Sequence, residues 1–286
     1  MALDAHRHFW HYTDAEFGWI ADDCLRRDFL PTDCGGMDPC IAVEARQCVE
    51  ETKELLELAD KHDFIKGVVG WLPLAAPDFP RMLEEFLAEE QKKQEKQKNS
   101  SPDSPVLLQK SKLVGLRHVV QDEPDDGFIL RPDFVRGVRH ALAQGLAYDI
   151  LVFERQLPNV LKFVDALPDD ARLVLDHLGK PAAFESWRVR VTELARRANV
   201  FCKFSGLVTE IGVAADPRPY LDVALEAFGP ARLMFGSDWP VVTAHMEYGD
   251  WKRCVEDFLV PLAGADQTKI MSANAAAFYG LKGETR

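Results

Sequence analysis

Three histidines and one aspartate in this 286-residue sequence have the residue types and spacing expected of a metal centre. His6 and His8 are separated by one residue in the segment DAHRHFW, and alternate residues of a β-strand project to the same face. His177 follows the apolar run of RLVLDHLGKP, and Asp238 follows that of LMFGSDWP. Three imidazole nitrogens and one carboxylate can surround a Zn²⁺ ion and leave one position open for water or substrate.

Each of these signals also has an ordinary structural explanation. Two histidines can occur on any strand, and His11 shows that this region is rich in histidine. By itself, His177 is compatible with a hydrogen-bonded core residue, and GSDWP with a turn. Because all four residues lie on or directly after predicted strands, their joint arrangement favours a common site.

Short apolar or β-branched runs alternate with helical patterns along the chain, which is typical of βα units around a parallel sheet. The eight predicted strands are Ala2–His8, Ile41–Arg46, Ile65–Leu72, Leu113–Val120, Ala147–Phe153, Arg172–His177, Val200–Phe204 and Arg232–Gly236. Eight strands with room for a helix after each predict an α/β fold, a (β/α)8 TIM-type barrel in one domain over residues 1–286. In such a barrel the carboxyl ends of all strands meet at one rim, which would bring the four metal-ligand candidates together.

Helices are predicted between these strands, and one segment stands out from them. The apolar spacing predicts helices over Val49–His62, Pro132–Gln144, Leu157–Leu167, Trp187–Ala198 and Pro219–Phe228. Residues 89–105, EEQKKQEKQKNSSPDSP, contain no hydrophobic side chain and read as a polar insertion, helical at first and then a loop. The connection after the first strand, residues 12–39, is long and irregular.

Composition excludes several classes of partner. The chain has 34 Lys and Arg against 46 Asp and Glu, a net charge of −12. Outside residues 92–98 no Lys or Arg block is dense enough to follow a phosphate backbone, so we expect no nucleic-acid partner. No run approaches the roughly 18–20 apolar residues that span a bilayer, and the first residues do not read as a signal peptide, so we expect no membrane association. Six cysteines without a CxxC pair suggest reduced thiols and a cytoplasmic location.

The motifs resemble a known family. An HxH pair on the first strand, a histidine closing the sixth and an aspartate in GSDxP on the eighth resemble the metal-dependent amidohydrolase superfamily, in particular its amidohydrolase-2 branch. Segments such as FIKGVVGWLPL, LVGLRHVVQDEPDDGFILRPDF, QLPNV, LDHLGKP and FGSDWPV are similar to the L-fuconolactonase and L-rhamnono-γ-lactonase group of that branch. The resemblance runs from residue 3 to about 280, and only the polar insertion looks foreign to it.

This resemblance implies one divalent metal ion, with Zn²⁺ the first candidate, held by His6, His8, His177 and Asp238. Members of the superfamily with two metals carry a Lys or Glu on strand 4 and a His on strand 5, whereas this chain has Arg117 there and ends strand 5 with Phe153 and Glu154. A two-metal centre is therefore not expected. Some lactonases of the branch work without metal, so metal-independent chemistry stays open.

Lactone hydrolysis needs an activated water, a polarised carbonyl and a proton for the departing alkoxide. Asp238 is the expected general base, and His177 is the second expected catalytic residue. Without metal, the histidines together with Arg117 or His118 would stabilise the developing oxyanion. Substrate contacts are expected from the other strand ends, namely Glu44, Arg46, Gln47, Trp71, Arg117, His118, Gln156 and Trp239. Core packing for the tryptophans and ion pairing for the arginines are equally compatible with the sequence.

The expected activity is metal-assisted hydrolysis of a sugar lactone, most directly L-rhamnono-γ-lactone or a related L-sugar lactone, to the open sugar acid. The alternative is a non-oxidative decarboxylase of the same branch acting on a small carboxylic acid. A third interpretation, a barrel that binds a metabolite without turnover, gives no role to Asp238 as a base. The sequence leaves the choice of sugar and the oligomeric state open; a homodimer is expected insofar as barrel exteriors commonly pair.

Overall fold

Eight parallel strands form one sheet in which every strand pairs with the next along the chain. This computed structural model describes residues 2–99 and 111–281. The strands are β1 Asp4–Arg7, β2 Cys40–Val43, β3 Ile65–Gly70, β4 Leu113–Val119, β5 Ala147–Leu151, β6 Leu173–Leu175, β7 Val200–Phe204 and β8 Leu233–Phe235. A parallel bridge between Arg7 and Trp239 brings the chain after β8 beside β1 and closes the sheet. The predicted (β/α)8 barrel is confirmed.

The helices follow the strands as the apolar periodicity predicts. They are α1 Val49–Lys61, α2 Phe79–Asn99, α3 Pro132–Ala143, α4 Leu157–Asp165, α5 Phe184–Ala195, α6 Leu207–Ile211, α7 Arg218–Phe228, α8 Tyr248–Leu259, α9 Gly264–Thr268 and α10 Asn274–Phe278. Helix α5 begins three residues earlier than predicted, since Phe184 packs with Trp187 and Tyr220. Helix α2 contains residues 89–99 of the polar insertion, and residues 100–105 lie outside the described residues. Within the described ranges we find no helix long and apolar enough to cross a membrane.

The core has two layers. The larger lies between the sheet and the surrounding helices. The smaller fills the barrel and is built from Leu3, Ala5, Ile41, Val43, Val69, Ala147, Val174 and Met234, with Ala275, Phe278 and Tyr279 from the C-terminal segment. A backbone bond from Leu3 N to Met271 O and a side-chain bond from Arg172 Nη1 to Phe278 O dock this segment at the strand beginnings. It therefore covers the end of the barrel opposite the strand carboxyl ends.

Several strands are shorter than predicted at their carboxyl ends, where the chemistry-bearing residues lie. The prediction carried strand 6 to His177, but β6 ends at Leu175, and β8 ends three residues before Asp238. His177 has φ 53° and Asp238 φ 60°, in the left-handed region, which a strand ladder does not accommodate. This backbone turns both side chains back over the mouth of the barrel.

Candidate metal centre and active site

Three histidines and one aspartate converge at the carboxyl ends of the strands. Asp238 Oδ1 lies 3.4 Å from His8 Nε2, 3.7 Å from His6 Nε2 and 4.0 Å from His177 Nε2. The two Nε2 atoms of His6 and His8 are 3.2 Å apart. All four side chains are at most 6% exposed. The structure thus brings together the four residues that were predicted from the sequence to be metal ligands.

Local backbone geometry aims His177 at this cluster. Residues 177–180 are consecutive left-handed residues, and three of them carry side chains. Such a conformation costs roughly 1–2 kcal/mol for each residue with a side chain. The turn is held by a bond from Lys180 N to His177 O (2.8 Å) and by the Trp187 indole N–H, which donates to Leu178 O (2.6 Å). Strain of this kind persists where surrounding contacts fix it, and it is common at functional sites.

Hydrogen bonds on the far side of two rings fix which nitrogen faces the cluster. His8 Nδ1 donates to the Val43 carbonyl oxygen (2.8 Å), so in neutral His8 the Nε2 lone pair points into the cluster. His177 Nδ1 is 3.0 Å from Ser205 Oγ. Partners on the second ring nitrogen are characteristic of metal-binding histidines.

Burial sets the protonation states of the cluster. It lowers the pKa of His177 to about 4 and holds the pKa of His6 well below its usual value. Burial alone would raise the pKa of Asp238, but the neighbouring His177, His8 and His6 outweigh it and the pKa falls. Neutral imidazoles and an ionised carboxylate are the forms that bind a metal ion.

Arg117, on β4, bridges the cluster to two buried carboxylates. Its Nε donates to Glu44 Oε1 (2.9 Å), its Nη1 donates to Asp176 Oδ2 (3.2 Å), and its Nη2 bonds the Glu44 carbonyl oxygen. The same Nη1 lies 3.2 Å from His6 Nε2. Burial opposes its charge, yet Glu44 and Asp176 raise its pKa, so Arg117 is a fixed cation at the edge of the site.

A second buried cation, Lys203 on β7, lies beneath His6. Its Nζ is 2.5 Å from Asp149 Oδ2, 2.9 Å from Asp176 Oδ1 and 3.1 Å from His6 Nδ1. The Tyr279 hydroxyl donates to Asp149 Oδ2 (2.8 Å). Burial raises the pKa of Asp149 to about 6, although Lys203 opposes the shift. A network of charged groups therefore runs from the C-terminal segment to His6.

The charges of this buried region fit a divalent cation. Above about pH 6, four carboxylates and two cations leave it with a net charge of −2. The carboxylates are Glu44, Asp149, Asp176 and Asp238, and the cations are Arg117 and Lys203. An uncompensated buried charge is costly, so a bound divalent ion would neutralise the region. Nitrogen and oxygen donors in this combination suit Zn²⁺.

Among residues 2–99 and 111–281, two groups of potential metal ligands share His6. One is His6, His8 and Asp238; the other is His6, Asp176 and His177. In the second group Asp176 is already engaged by Arg117 at 3.2 Å and by Lys203 at 2.9 Å. The first group, with His177 beside it, is the better candidate for a single ion.

Four further residues predicted to contact substrate are engaged in structural contacts. Glu44 is fully buried against Arg117. Arg46 pairs with Glu16 and Glu54, and Gln47 Oε1 accepts the Val119 amide (2.9 Å). Gln156 is fully buried, with its amide bonded to Val120 O and Phe153 N. The structure does not bring Arg46, Gln47 or Gln156 to the metal-ligand cluster.

His118 and the two tryptophans are likewise engaged with other side chains. Arg117 faces the barrel interior, and because neighbouring strand residues alternate, His118 faces outward and stacks on Phe128 with ring centroids 4.9 Å apart. Half-buried Trp71 donates its indole N–H to His118 Nδ1 (3.1 Å). Trp239 packs edge-on against Phe29 and is 4% exposed, as a core residue would be.

Sequence reasoning missed Lys203, Asp149, Asp176 and Ser205. A charged residue inside a predicted apolar strand, as in VFCKF and AYDIL, was the available signal. Alternation along the strand would have placed those charges inside the barrel.

The sequence profile of the amidohydrolase family, Amidohydro_2, matches residues 3–281. An L-fucono-1,5-lactonase from Burkholderia multivorans is 38% identical over 98% of this chain and 96% of its own length. Another L-fucono-1,5-lactonase, from Burkholderia ambifaria, is 34% identical over 97% and 94% of the two chains. The chain belongs to the amidohydrolase family, which confirms the predicted branch, and it is a hydrolase.

Solved structures agree with this assignment. A crystal structure of an amidohydrolase from Burkholderia multivorans with bound zinc has a TM-score of 0.84 and 38% identity, covering 98% of this chain and 99% of that one. Similarity to decarboxylases is more distant: 2,6-dihydroxybenzoate decarboxylase has a TM-score of 0.62 and 15% identity over 99% of both chains. That likeness shows the fold alone.

Proposed function

We propose that this protein hydrolyses the ester bond of an L-sugar lactone to the open sugar acid, with one divalent ion, Zn²⁺, at His6, His8, His177 and Asp238. The observation that carries the proposal is the position of Asp238 Oδ1, within 4.0 Å of all three histidine Nε2 atoms. Lactonase relatives that match nearly the whole chain support the substrate class.

Asp238 is the proposed general base and acid. Its lowered pKa keeps the carboxylate ionised at neutral pH, ready to accept a proton from the attacking water. The same carboxyl group then returns this proton to the alkoxide oxygen as the ring opens. His177 stays neutral beside it and keeps Asp238 within reach of the reacting atoms.

Arg117 is the proposed cation for the developing oxyanion. Its Nη1 already reaches the edge of the cluster, and its two carboxylate partners fix its position before substrate arrives. A bound Zn²⁺ supplies Lewis-acid polarisation and lowers the pKa of a nearby water towards about 7.

L-fucono-1,5-lactone is the proposed first substrate. The sequence favoured L-rhamnono-γ-lactone or a related L-sugar lactone, but the two relatives that match most of the chain are named for a 1,5-lactone. For the decarboxylase alternative, the support is a likeness in fold alone, at 15% identity.

A pH-indicator assay on purified protein tests the proposal with L-fucono-1,5-lactone, L-rhamnono-γ-lactone, L-galactono-1,4-lactone and D-glucono-1,5-lactone. We expect acid release above the spontaneous rate, fastest with L-fucono-1,5-lactone. Hydrolysis of L-rhamnono-γ-lactone alone would support lactone hydrolysis but would refute L-fucono-1,5-lactone as the substrate. The absence of any hydrolysis by folded, zinc-loaded protein, with CO₂ released from 2,6-dihydroxybenzoate, would replace the lactonase by a decarboxylase.

A further inference from the structure

A half-buried ion pair bridges two loops beside the candidate active site. Lys180 Nζ lies 3.1 Å from Glu210 Oε1, and the two side chains are 16% and 20% exposed. Lys180 ends the left-handed turn that begins at His177, and Glu210 lies on α6, which follows β7. The pair therefore joins the chain after β6 to the chain after β7 at the carboxyl ends of the strands, on the same side as the metal-ligand cluster.

Lys180 belongs to the same left-handed turn as His177. The Lys180 amide bonds the His177 carbonyl oxygen at 2.8 Å, which places the two residues one turn apart. Its Nζ also lies 5.3 Å from the centre of the Phe153 ring, at the end of β5. The charge of Lys180 contributes to the low pKa of His177, after the larger effect of burial. Three βα connections thus meet at one cation, whose side chain stays 16% exposed to solvent.

The chemistry of the pair suits a polyhydroxylated ligand. An ammonium group donates to hydroxyl oxygens, and a carboxylate accepts from hydroxyl hydrogens, so one ion pair can engage two neighbouring hydroxyls of a sugar. Next to Glu210, Thr209 Oγ1 is buried and lacks a hydrogen-bond partner within the described part of the chain, which adds a polar group to the same loop.

We propose that Lys180 and Glu210 are specificity-determining residues that bind hydroxyl groups of the sugar lactone and of its sugar-acid product. The proposal rests on the proposed function and extends it to residues outside the metal-ligand set. Charged groups that hydrogen-bond substrate hydroxyls discriminate strongly against ligands in which those bonds cannot form.

Equilibrium binding of L-fuconate, measured by calorimetry, tests this without turnover. We expect Lys180→Met and Glu210→Gln each to raise the dissociation constant about tenfold, a loss typical of one charge-assisted hydrogen bond. Lys252→Met is the matched control, because Lys252 forms a similar half-buried pair with Asp38, which precedes β2 at the opposite end of the barrel. The control should bind L-fuconate as the wild type does.

Steady-state kinetics on L-fucono-1,5-lactone separate contact with substrate from support of His177. A binding role raises KM about tenfold in Lys180→Met with kcat within about threefold, and Lys180→Arg restores most of the loss. A fall in kcat at unchanged KM, or unchanged L-fuconate affinity in both variants, would overturn the proposal. If the wild type neither hydrolyses a lactone nor binds L-fuconate, the proposed function itself is refuted. If the wild type binds L-fuconate and both substitutions leave its affinity unchanged, only the role of Lys180 and Glu210 is refuted.

Discussion

A β-carbon added to Gly206 would lie 2.5 Å from His177 Nδ1, closer than any packing contact allows. Gly206 has φ 63° and directly precedes α6, while His177 begins the left-handed turn after β6. The loop after β7 therefore packs closely against the loop after β6 at His177 Nδ1, the nitrogen on the far side of the ring from the metal-ligand cluster. Sequence inspection of FSGL and LDHL gives no sign of this contact.

Gly206→Ala should displace the His177 ring and lower kcat/KM for L-fucono-1,5-lactone at least about 100-fold, as small misplacements of catalytic groups do. Gly212→Ala is the control, since Gly212 has a similar φ of 79° but open space where its β-carbon would lie. Both variants place an alanine at positive φ, at a cost of roughly 1–3 kcal/mol that urea unfolding measures. Equal activities of the two variants would refute the fit between Gly206 and His177.

Asp238→Asn removes the proposed base with little change in shape. In protein saturated with Zn²⁺, we expect kcat to fall about 10²–10⁴-fold, while circular dichroism and L-fuconate binding stay close to wild type. Asp28→Asn provides the control, because Asp28 also pairs with a histidine, His11, at 3.0 Å but is 52% exposed. Undiminished turnover by Asp238→Asn would remove this carboxylate from the mechanism.

Glu51 predicts a pH dependence of stability that is separate from catalysis. Burial, reinforced by the charge of Glu44, raises the pKa of Glu51 to about 8. A carboxyl whose pKa is raised on folding stabilises the protein most below its unfolded pKa, and this stabilisation is lost as pH rises towards about 8. Glu51→Gln lacks the titration, so its unfolding free energy relative to wild type should rise by about 4 kcal/mol between pH 5 and pH 8.5.

Urea unfolding at these two pH values measures the difference. Glu50→Gln is the matched control, since Glu50 is the preceding, exposed residue of α1. Its difference from wild type should be the same at both pH values. A flat difference for Glu51→Gln as well would show that Glu51 is ionised in the folded protein at neutral pH.

The barrel and the four metal-ligand candidates could be predicted from the sequence because both depend on local patterns. Strand runs are continuous in sequence, and His6 lies on β1 while His8 follows one residue after its end. The supporting residues could not be predicted so easily: Lys203 reaches His6 across 197 positions, and its position depends on how the strands close. The outward direction of His118 was available from alternation with Arg117, whereas the burial of Gln156 depends on tertiary contacts. A homodimer remains a prediction.

Titration of metal-depleted protein with Zn²⁺, followed by hydrolysis of L-fucono-1,5-lactone, tests the central claim most directly. The account predicts that depleted protein has little activity and that activity rises linearly to a plateau at about one ion per chain. One ion is expected because, in the second group of potential ligands, Asp176 is already paired with Arg117 and Lys203. Full activity of the depleted protein would contradict the role of the metal. A plateau at about two ions per chain would contradict the single site.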